Sequence, residues 1–465
     1  MKRTINNKVV LFFCSLFIFG VCNAMDVKDF GAKGDSISDD TEAIQKAVDS
    51  GIGQISFPSG VYRLTAPILI DLNQSGPIAI IGNGTAKVMM NGAGPAFKFV
   101  GTHTGTADPY TVKQNVWHNQ RMPIIDGIEI IGRHPISKGI EAIETLQLII
   151  TRVLVRETLH GIHLSKRNRN IIISECNLYN NRGVGIFLDE LNLHQINITN
   201  CHISYNGGGG IVVHKGEIRN FQIGSCDIES NIDINGPPSA NVLIDITEGS
   251  MREGSIIGCT IQHNHNGIGS ANIRFIGHGT ETRHKTGYFT IANNILSDTQ
   301  QNLHIKYARG IIITGNAFGE GFSSNILVEH SDHIVFGTNI LDRNPDYGTE
   351  SNNSVIIRDS RNITVNGFHL SNNSVSPTNI ILERCRNYNF MNSTILNCNG
   401  EGILLKDSEN GKVSGNYIND DRPDSRNPVS IRIQGGKGNL IINNYTNGVI
   451  DVVSGTANLI NNQSL

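Results

Sequence analysis

GIHLSKRNRNIIISEC (residues 161–176), GIFLDELNLHQINITNC (185–201) and GIVVHKGEIRNFQIGSC (210–226) are three copies of one pattern. Each opens on glycine, alternates apolar and other side chains, resumes with a second β-branched run and closes on cysteine. A period of two puts Ile162 and Leu164 on one face of a strand and His163 and Ser165 on the other. The spacing of three and four that marks a helix is absent. The pattern continues as NVLID from Asn241, NIRFI from Asn272, NLHIK from Asn302, NILVE from Asn325, SVIIR from Ser354, NIILE from Asn379 and GILLK from Gly402. Anchors stand 23 to 31 residues apart, the period of a solenoid coil with insertions in some turns. Short strands stacked at about 4.8 Å per rung make an all-β fold, the parallel β-helix.

A second column supports this register. The residue closing the second run is Cys176, Cys201, Cys226 and Cys259, then Asn294, Asn316, Asn339, Gly367, Ser393, Asn416 and Asn444. Small and amide side chains stacked at an inward bend satisfy one another's hydrogen bonds. The cysteines therefore read as interior thiols of a ladder. Stacked rungs also bring α-carbons within disulfide range, so bridging stays open, while the lack of C-x-x-C spacing argues against a metal site.

Fifty glycines and 6% aromatics suit a turn-rich solenoid, and a formal net charge of −3 argues against a nucleic-acid partner. Lys2, Arg3 and Lys8 flank an apolar run over residues 9–21, with small residues at Cys22 and Ala24. This predicts a signal peptide over 1–24 and export to the cell surface, periplasm or medium. The run is too short to span a bilayer comfortably. The rest, 25–465, reads as one β-helix domain: an N-terminal cap over 25–51, early rungs and an insertion loop over 52–138, and regular rungs over 139–465.

In the cap, Asp39 and Glu42 have capping-box spacing, and Ala43, Ile44, Ala47 and Val48 form one apolar stripe. A short helix is expected to cover the open end of the solenoid. Asp35, Asp39 and Asp40 read as turn and cap chemistry. The insertion around 102–122 carries the only tryptophan, Trp117, which either stacks on a sugar ring or covers core.

Aligning the rungs exposes a candidate site. If Ile and Leu fill the core, third and fifth positions of each repeated strand face outward, and from Asp189 to Glu329 every rung carries an ionisable one. Asp189, His214 and Asp245 are the candidate catalytic residues. Asp189 and Asp245 sit two rungs apart, about 9.6 Å between backbones, near the separation of about 6.5–9.5 Å that an inverting glycosidase needs. His214 lies between them as a tuning group or as the acid or base itself. Arg274, His304, Lys306 and Glu329 are candidate binding residues, the cations suited to a carboxylate-bearing ligand. Glu383, farther along, reads as part of an ordinary surface ladder. The anchors from 210 to 302 enclose the longest intervals, whose extra residues are expected to build groove walls.

The stretch DVKDFGAKGDSISDDTEAIQKAVDSG (26–51) resembles the leading motif of the pectate-lyase-like superfamily of right-handed β-helices. That superfamily includes pectate lyases, polygalacturonases, rhamnogalacturonases, related epimerases and phage tailspike depolymerases. The resemblance implies a right-handed coil of three sheets per rung, a polysaccharide held across the outward face of one sheet, and a monomer or homotrimer. It does not bring the polygalacturonase triad. Residues before the anchors are His160, Val184, Gly209, Ala240, Ala271, Gln301 and Ser324, so the aspartates of that motif are missing. Only His304 and Lys306 resemble its final Arg-x-Lys, and His278 lies in a Gly-His-Gly triplet after its strand.

The expected function is thus an exported polysaccharide-active enzyme that hydrolyses glycosidic bonds of an acidic polysaccharide with carboxylate assistance and no cofactor. Two alternatives stay open. A lyase acting by β-elimination would use His214 or Lys306 as base and Arg274 as neutraliser, or Ca²⁺ held by Asp189 and Asp245. A non-catalytic β-helix would bind carbohydrate through aromatics and amides, of which the outward positions offer Phe187.

Overall fold

The computed structural model describes residues 25–465 apart from 107, 280–284, 345, 347 and 425–428. The expected signal segment lies outside the described residues. Among those described, no helix is long and apolar enough to cross a membrane, which says nothing of strands.

Each regular coil is three short strands joined by tight bends, as in Gly209–His214, Glu217–Gly224 and Asp227–Glu229. Every one pairs in parallel with its counterpart in the next coil, Ala240–Asp245, Ser250–Ile257 and Thr260–Gln262. Three parallel sheets result, running the length of a right-handed parallel β-helix, the hand that parallel crossover connections favour. The first sheet runs from Ile68–Asp71 to Val449–Val452. Ile162, Ile186, Ile211, Val242 and Ile273 stack as one inward column, all fully buried.

The bends hold their polar groups in ladders. Cys176, Cys201, Cys226 and Cys259 lie buried between second and third strands with no disulfide. Their thiols face backbone carbonyls, as Cys176 Sγ does that of Ser174 at 3.2 Å, and the thiol stack around them pushes Cys201 and Cys226 up to about 12. Asn294, Asn316 and Asn339 continue the column with amide-to-amide bonds of 3.0 Å. The next rung departs from the expected alignment: Asn339 pairs with Phe368 rather than Gly367. Phe368 is buried in edge-to-face contact with Phe336 and Phe390, so its side chain packs where the ladder's amides bond, while its backbone N–H donates to Ser393 Oγ at 3.2 Å. Ser393, Asn416 and Asn444 then resume the ladder.

A second, unexpected ladder explains why the anchors change from glycine to asparagine. Asn181, Asn206 and Asn231, which follow the third strands, pass hydrogen bonds from amide to amide. A Cβ on Gly210 would come within 2.9 Å of the Asn231 amide nitrogen, and one on Gly185 within 3.0 Å of that of Asn206. From Asn241 onward the anchor supplies the amide itself, joining Asn231 at 2.9 Å and continuing through Asn272, Asn302 and Asn325. Asn302 is fully buried and bonds Asn272, Gly319 and Asn325, each at 2.7 Å. Asn302→Leu keeps the volume but orphans three partners, so it is expected to lower unfolding free energy by about 3 kcal/mol or more, read from urea denaturation.

The expected cap is present, with a shifted start. The helix spans Thr41–Asp49 behind Asp40 and buries Ile44, Ala47 and Val48. The capping box does not form. Asp39 instead accepts from Thr41 and Thr65, Glu42 pairs with Lys46, and buried Asp40 accepts from the amides of Lys33 and Gly34. Competing donors thus divert both box carboxylates, the Thr41 and Thr65 hydroxyls taking Asp39 and the Lys46 ammonium one helical turn on taking Glu42.

Candidate active site

Outward positions of the first sheet form two columns. Third positions stack as Lys98, Glu141, His163, Phe187, Val212, Leu243, Arg274 and His304. Fifth positions stack as Ser165, Asp189, His214, Asp245, Ile276, Lys306, Glu329, Arg358 and Glu383.

Near the upstream end these columns make a compact ionisable cluster. His214 Nδ1 lies 2.9 Å from Asp189 Oδ1. A carboxylate only accepts, so Nδ1 is the donor, and in the neutral ring the lone pair is on Nε2. The His214 side chain is 40% exposed and so meets the groove. On the other side of Asp189, His163 Nε2 approaches Oδ2 at 3.5 Å. Lys138 Nζ stands 2.9 Å from both Glu141 Oε2 and His163 Nδ1, closer than the 3.4 Å between Nδ1 and that carboxylate. His163 Nδ1 thus lies within reach of both the ammonium and the carboxylate, while its buried Nε2 has no hydrogen-bond partner among the described residues. Lys98 closes the cluster 3.1 Å from Glu141. The Glu141 carboxyl, almost buried, is held far below the ordinary carboxylate range by His163 and then by Lys138 and Lys98.

Aromatic faces line the same cluster. Phe187 stacks on His163 at 5.3 Å and on His214 at 6.3 Å, with His160 at 5.0 Å. His160 Nδ1 accepts from the Val184 amide at 3.1 Å. Burial, then His163 and Lys138, lower its pKa to about 4 against an ordinary 6.5. Between these values the unfolded chain binds a proton that the folded chain does not, so stability is lost as pH falls. The loss is on the order of 3 kcal/mol. The urea midpoint is expected to drop between about pH 7 and about pH 4.5, and to drop less in His160→Gln.

Farther along lies a relay. Arg274, nine-tenths buried, donates from Nε to His304 Nδ1 at 3.2 Å. His304 Nε2 then donates to Glu329 Oε2 at 2.9 Å, and Arg358 Nε donates to Glu329 Oε1 at 2.9 Å. Burial lowers the pKa of His304 despite Glu329. In Glu329 burial is outweighed by Arg358 and His304, so the carboxylate stays charged. Lys306 places Nζ 5.2 Å from the centre of the Tyr307 ring, which stacks on His330.

The fold therefore joins Asp189 to His214, and Arg274 and His304 to Glu329. It does not join Asp245 to either. Although two rungs from Asp189 as expected, Asp245 turns its carboxylate into its own bend, accepting from Thr247 N at 3.1 Å and Oγ1 at 2.8 Å. The carboxylate on the far side of the histidines from His214 is instead Glu141, and the His163 ring fills the space between it and Asp189. Glu141 lies one coil before Gly161, outside the run of outward charges from Asp189 to Glu329. GIEAI from Gly139 fits the same pattern and puts Glu141 above His163.

Two of the long intervals carry extra residues in the segments that follow the third strands Asp227–Glu229 and Thr260–Gln262. There His263 and His265 each place Nδ1 2.6 Å from a different oxygen of Asp298. Trp117 packs half-buried on Val112, Val116 and Leu146, so it covers a satellite core. His278 lies 3.4 Å from Lys285. Among the described residues no three His, Cys, Asp or Glu side chains are grouped to hold a metal ion.

Residues 24–229 match the family model of rhamnogalacturonase A/epimerase, pectate lyase-like proteins, and residues 249–463 match that of the periplasmic copper-binding protein NosD. The chain is 54% identical to alginate lyase 7 of Azotobacter vinelandii over 44 residues, 9% of this chain and 5% of that protein. It is 31% identical to mannuronan C5-epimerase AlgE1 of the same organism over 130 residues, 22% of this chain and 9% of the relative. The chain thus spans under a tenth of the length of these relatives. Among solved structures, the A-module of A. vinelandii mannuronan C-5 epimerase AlgE4 is 14% identical, with 93% of this chain and 99% of that one covered and a TM-score of 0.39. For the Pseudomonas phage phi297 tailspike gp61 the figures are 13%, 93%, 81% and 0.46.

Proposed function

We propose that this chain, a parallel β-helix protein of the pectate-lyase-like superfamily, is an exported enzyme acting on a uronate-bearing polysaccharide laid along its first sheet. The observation that carries the reading is the 2.9 Å bond that fixes His214 on Asp189 with Nε2 left basic. His214 would take the C5 proton α to a uronate carboxyl. The electron pair left on C5 then forms the C4–C5 double bond as the C4–O glycosidic bond breaks, and the leaving oxygen takes a proton from water. Asp189 orients the imidazole and stabilises its cation.

Abstraction α to a carboxylate needs positive charge nearby. Lys98 and Lys138 lie upstream of His214, and Arg274 and Lys306 lie downstream. Phe187, its faces stacked on His163 and His214, leaves a ring edge as apolar surface beside them. The alginate lyase and mannuronan epimerase relatives support an anionic glycan as substrate.

Hydrolysis by paired carboxylates fits this geometry less well. It needs a water between two carboxyl groups, but His163 fills the gap beside Glu141 and Asp245 is engaged with Thr247. The Ca²⁺ arrangement is also poorly supported, because Asp189 and Asp245 are each committed elsewhere and no three donors are grouped among the described residues. No step is routed through a metal.

The test incubates the protein with pectic, alginate and neutral polysaccharides in deuterated water. Ultraviolet absorbance of an unsaturated product marks elimination, deuterium at C5 without cleavage marks epimerisation, and new reducing ends alone mark hydrolysis. Elimination or exchange confined to uronans is expected. Hydrolysis alone, or binding without any product, overturns the reading.

A further inference from the structure

The second sheet carries a cationic stripe that the first-sheet groove does not use. Its register stacks Arg169, His194, Arg219 and Arg252 on successive rungs, followed by Gly287. Like charges opposite one another on neighbouring strands destabilise a sheet. Arg169 is sealed, with 1% exposure. Arg219 and Arg252 remain partly exposed, as does Arg309 farther along the same sheet.

These three guanidinium groups lack ion-pair partners among the described residues. Arg219 donates to the carbonyl of Ile218 at 2.8 Å and the hydroxyl of Ser250 at 3.0 Å. Nε of Arg252 is buried with no partner at all. Glu217 and Glu253 act on Arg219 only at longer range, and burial followed by the charge of Arg252 lowers its pKa.

Beside Arg252 the sheet opens into a groove of about 700 Å³ lined by Tyr288, Arg309, Ile312, His333 and Val335. Two glycines bring adjacent coils close together at its floor. Gly310 has φ +65°, and a Cβ there would meet the Gly287 α-carbon at 3.1 Å. Tyr288 is held at φ +51° and is 80% exposed, an aromatic ring placed in water beside two arginines. His333 is committed to Asp332. Ring face, aliphatic strip and free guanidinium groups together match a pyranose bearing a carboxylate. Its C–H face packs on tyrosine, and its anion takes the planar fork of arginine.

We propose that this groove is a second, non-catalytic binding site for a uronate residue of an acidic polysaccharide, with Arg252 and Arg309 holding the carboxylate and Tyr288 the ring. It lies on the sheet next to the first-sheet groove, on the coils that carry Asp245, Arg274, His304 and Glu329. The inference rests on an acidic glycan as ligand, and needs no turnover.

The experiment is calorimetric titration of the full chain with oligogalacturonate and oligomannuronate, each against its carboxyl-reduced neutral counterpart. Arg252→Gln and Tyr288→Asn, the latter keeping a residue that tolerates positive φ, are each expected to weaken oligouronate binding about tenfold or more. Turnover of short soluble substrates should stay at the parent level and circular dichroism should be unchanged. In a His214→Gln background the Arg252-dependent binding should persist. Oligouronate binding equal to the parent in both folded variants, or no preference for the acidic over the reduced probe, overturns this site even if uronan turnover is found. Arg252-dependent binding without turnover of any polysaccharide leaves this site standing and removes the catalytic reading instead.

Discussion

His214→Gln is expected to lower turnover of the uronan substrate by about a hundredfold to ten-thousandfold, the range a positioned base contributes, with folding intact. The ring meets solvent at 40% exposure and bonds only Asp189 among the described residues, so glutamine fills its place without disturbing the core. Asp189→Asn should cost at least about a hundredfold, because an amide can donate to Nδ1 and so favours the wrong tautomer. Asp245→Asn discriminates between the readings. With its carboxylate on Thr247, it should cost far less than Asp189→Asn, and an equal loss would restore the paired-carboxylate arrangement. Glu383→Gln is the control on the same column, where Glu383 serves Lys406 and Arg384, and it should change turnover little. Parent activity in both His214→Gln and Asp189→Asn would leave the cluster a solvated charge ladder.

The largest effect on stability is expected from Ile186→Asp. Ile186 is fully buried between Ile162 and Ile211 in an inward column, where a carboxylate finds neither water nor a cation. The expected loss is at least about 4 kcal/mol, read as a fall in the urea midpoint. Each coil is held only by its neighbours, so the break should spread to the coils on either side. Ile172→Asp is the comparison: Ile172 is 38% exposed on the outer face, and the same charge there should alter stability little. Similar losses in both would mean that the inward and outward assignments are exchanged.

The charges of the candidate site divide by how local their geometry is. His214 and Asp189 occupy the same position of adjacent repeats, so a period of two and a coil length suffice to make them neighbours. Arg274 and His304 were visible as neighbours for the same reason, whereas Glu329 stands on the rung position beside Lys306, and its bond to His304 crosses from one column to the other. Glu141 and Lys138 lie at the start of the regular rungs, one coil before the charged run that begins at Asp189, and their contact with His163 shows only in the pairing with Ile162–Ser174 and in the side-chain geometry. Asp245 failed in the opposite direction. Its rung was right, but rotation of a short side chain onto a hydroxyl two residues away is decided by local hydrogen bonding.

By itself the sequence determined the coil, because apolar alternation closed by Cys or Asn bends has one way to bury its inward faces, as successive parallel rungs. It also determined which side chains face out on the first sheet. Tertiary structure alone decided which of those outward groups touch, and that the switch from Gly210 to Asn241 is a ladder crossing from one side of a bend to the other. It alone set Arg252 beside Arg309 and Tyr288 on the second sheet. Register carries a residue to its rung, while side-chain torsions and the partners across a corner, set by residues far apart in the chain, decide what it binds.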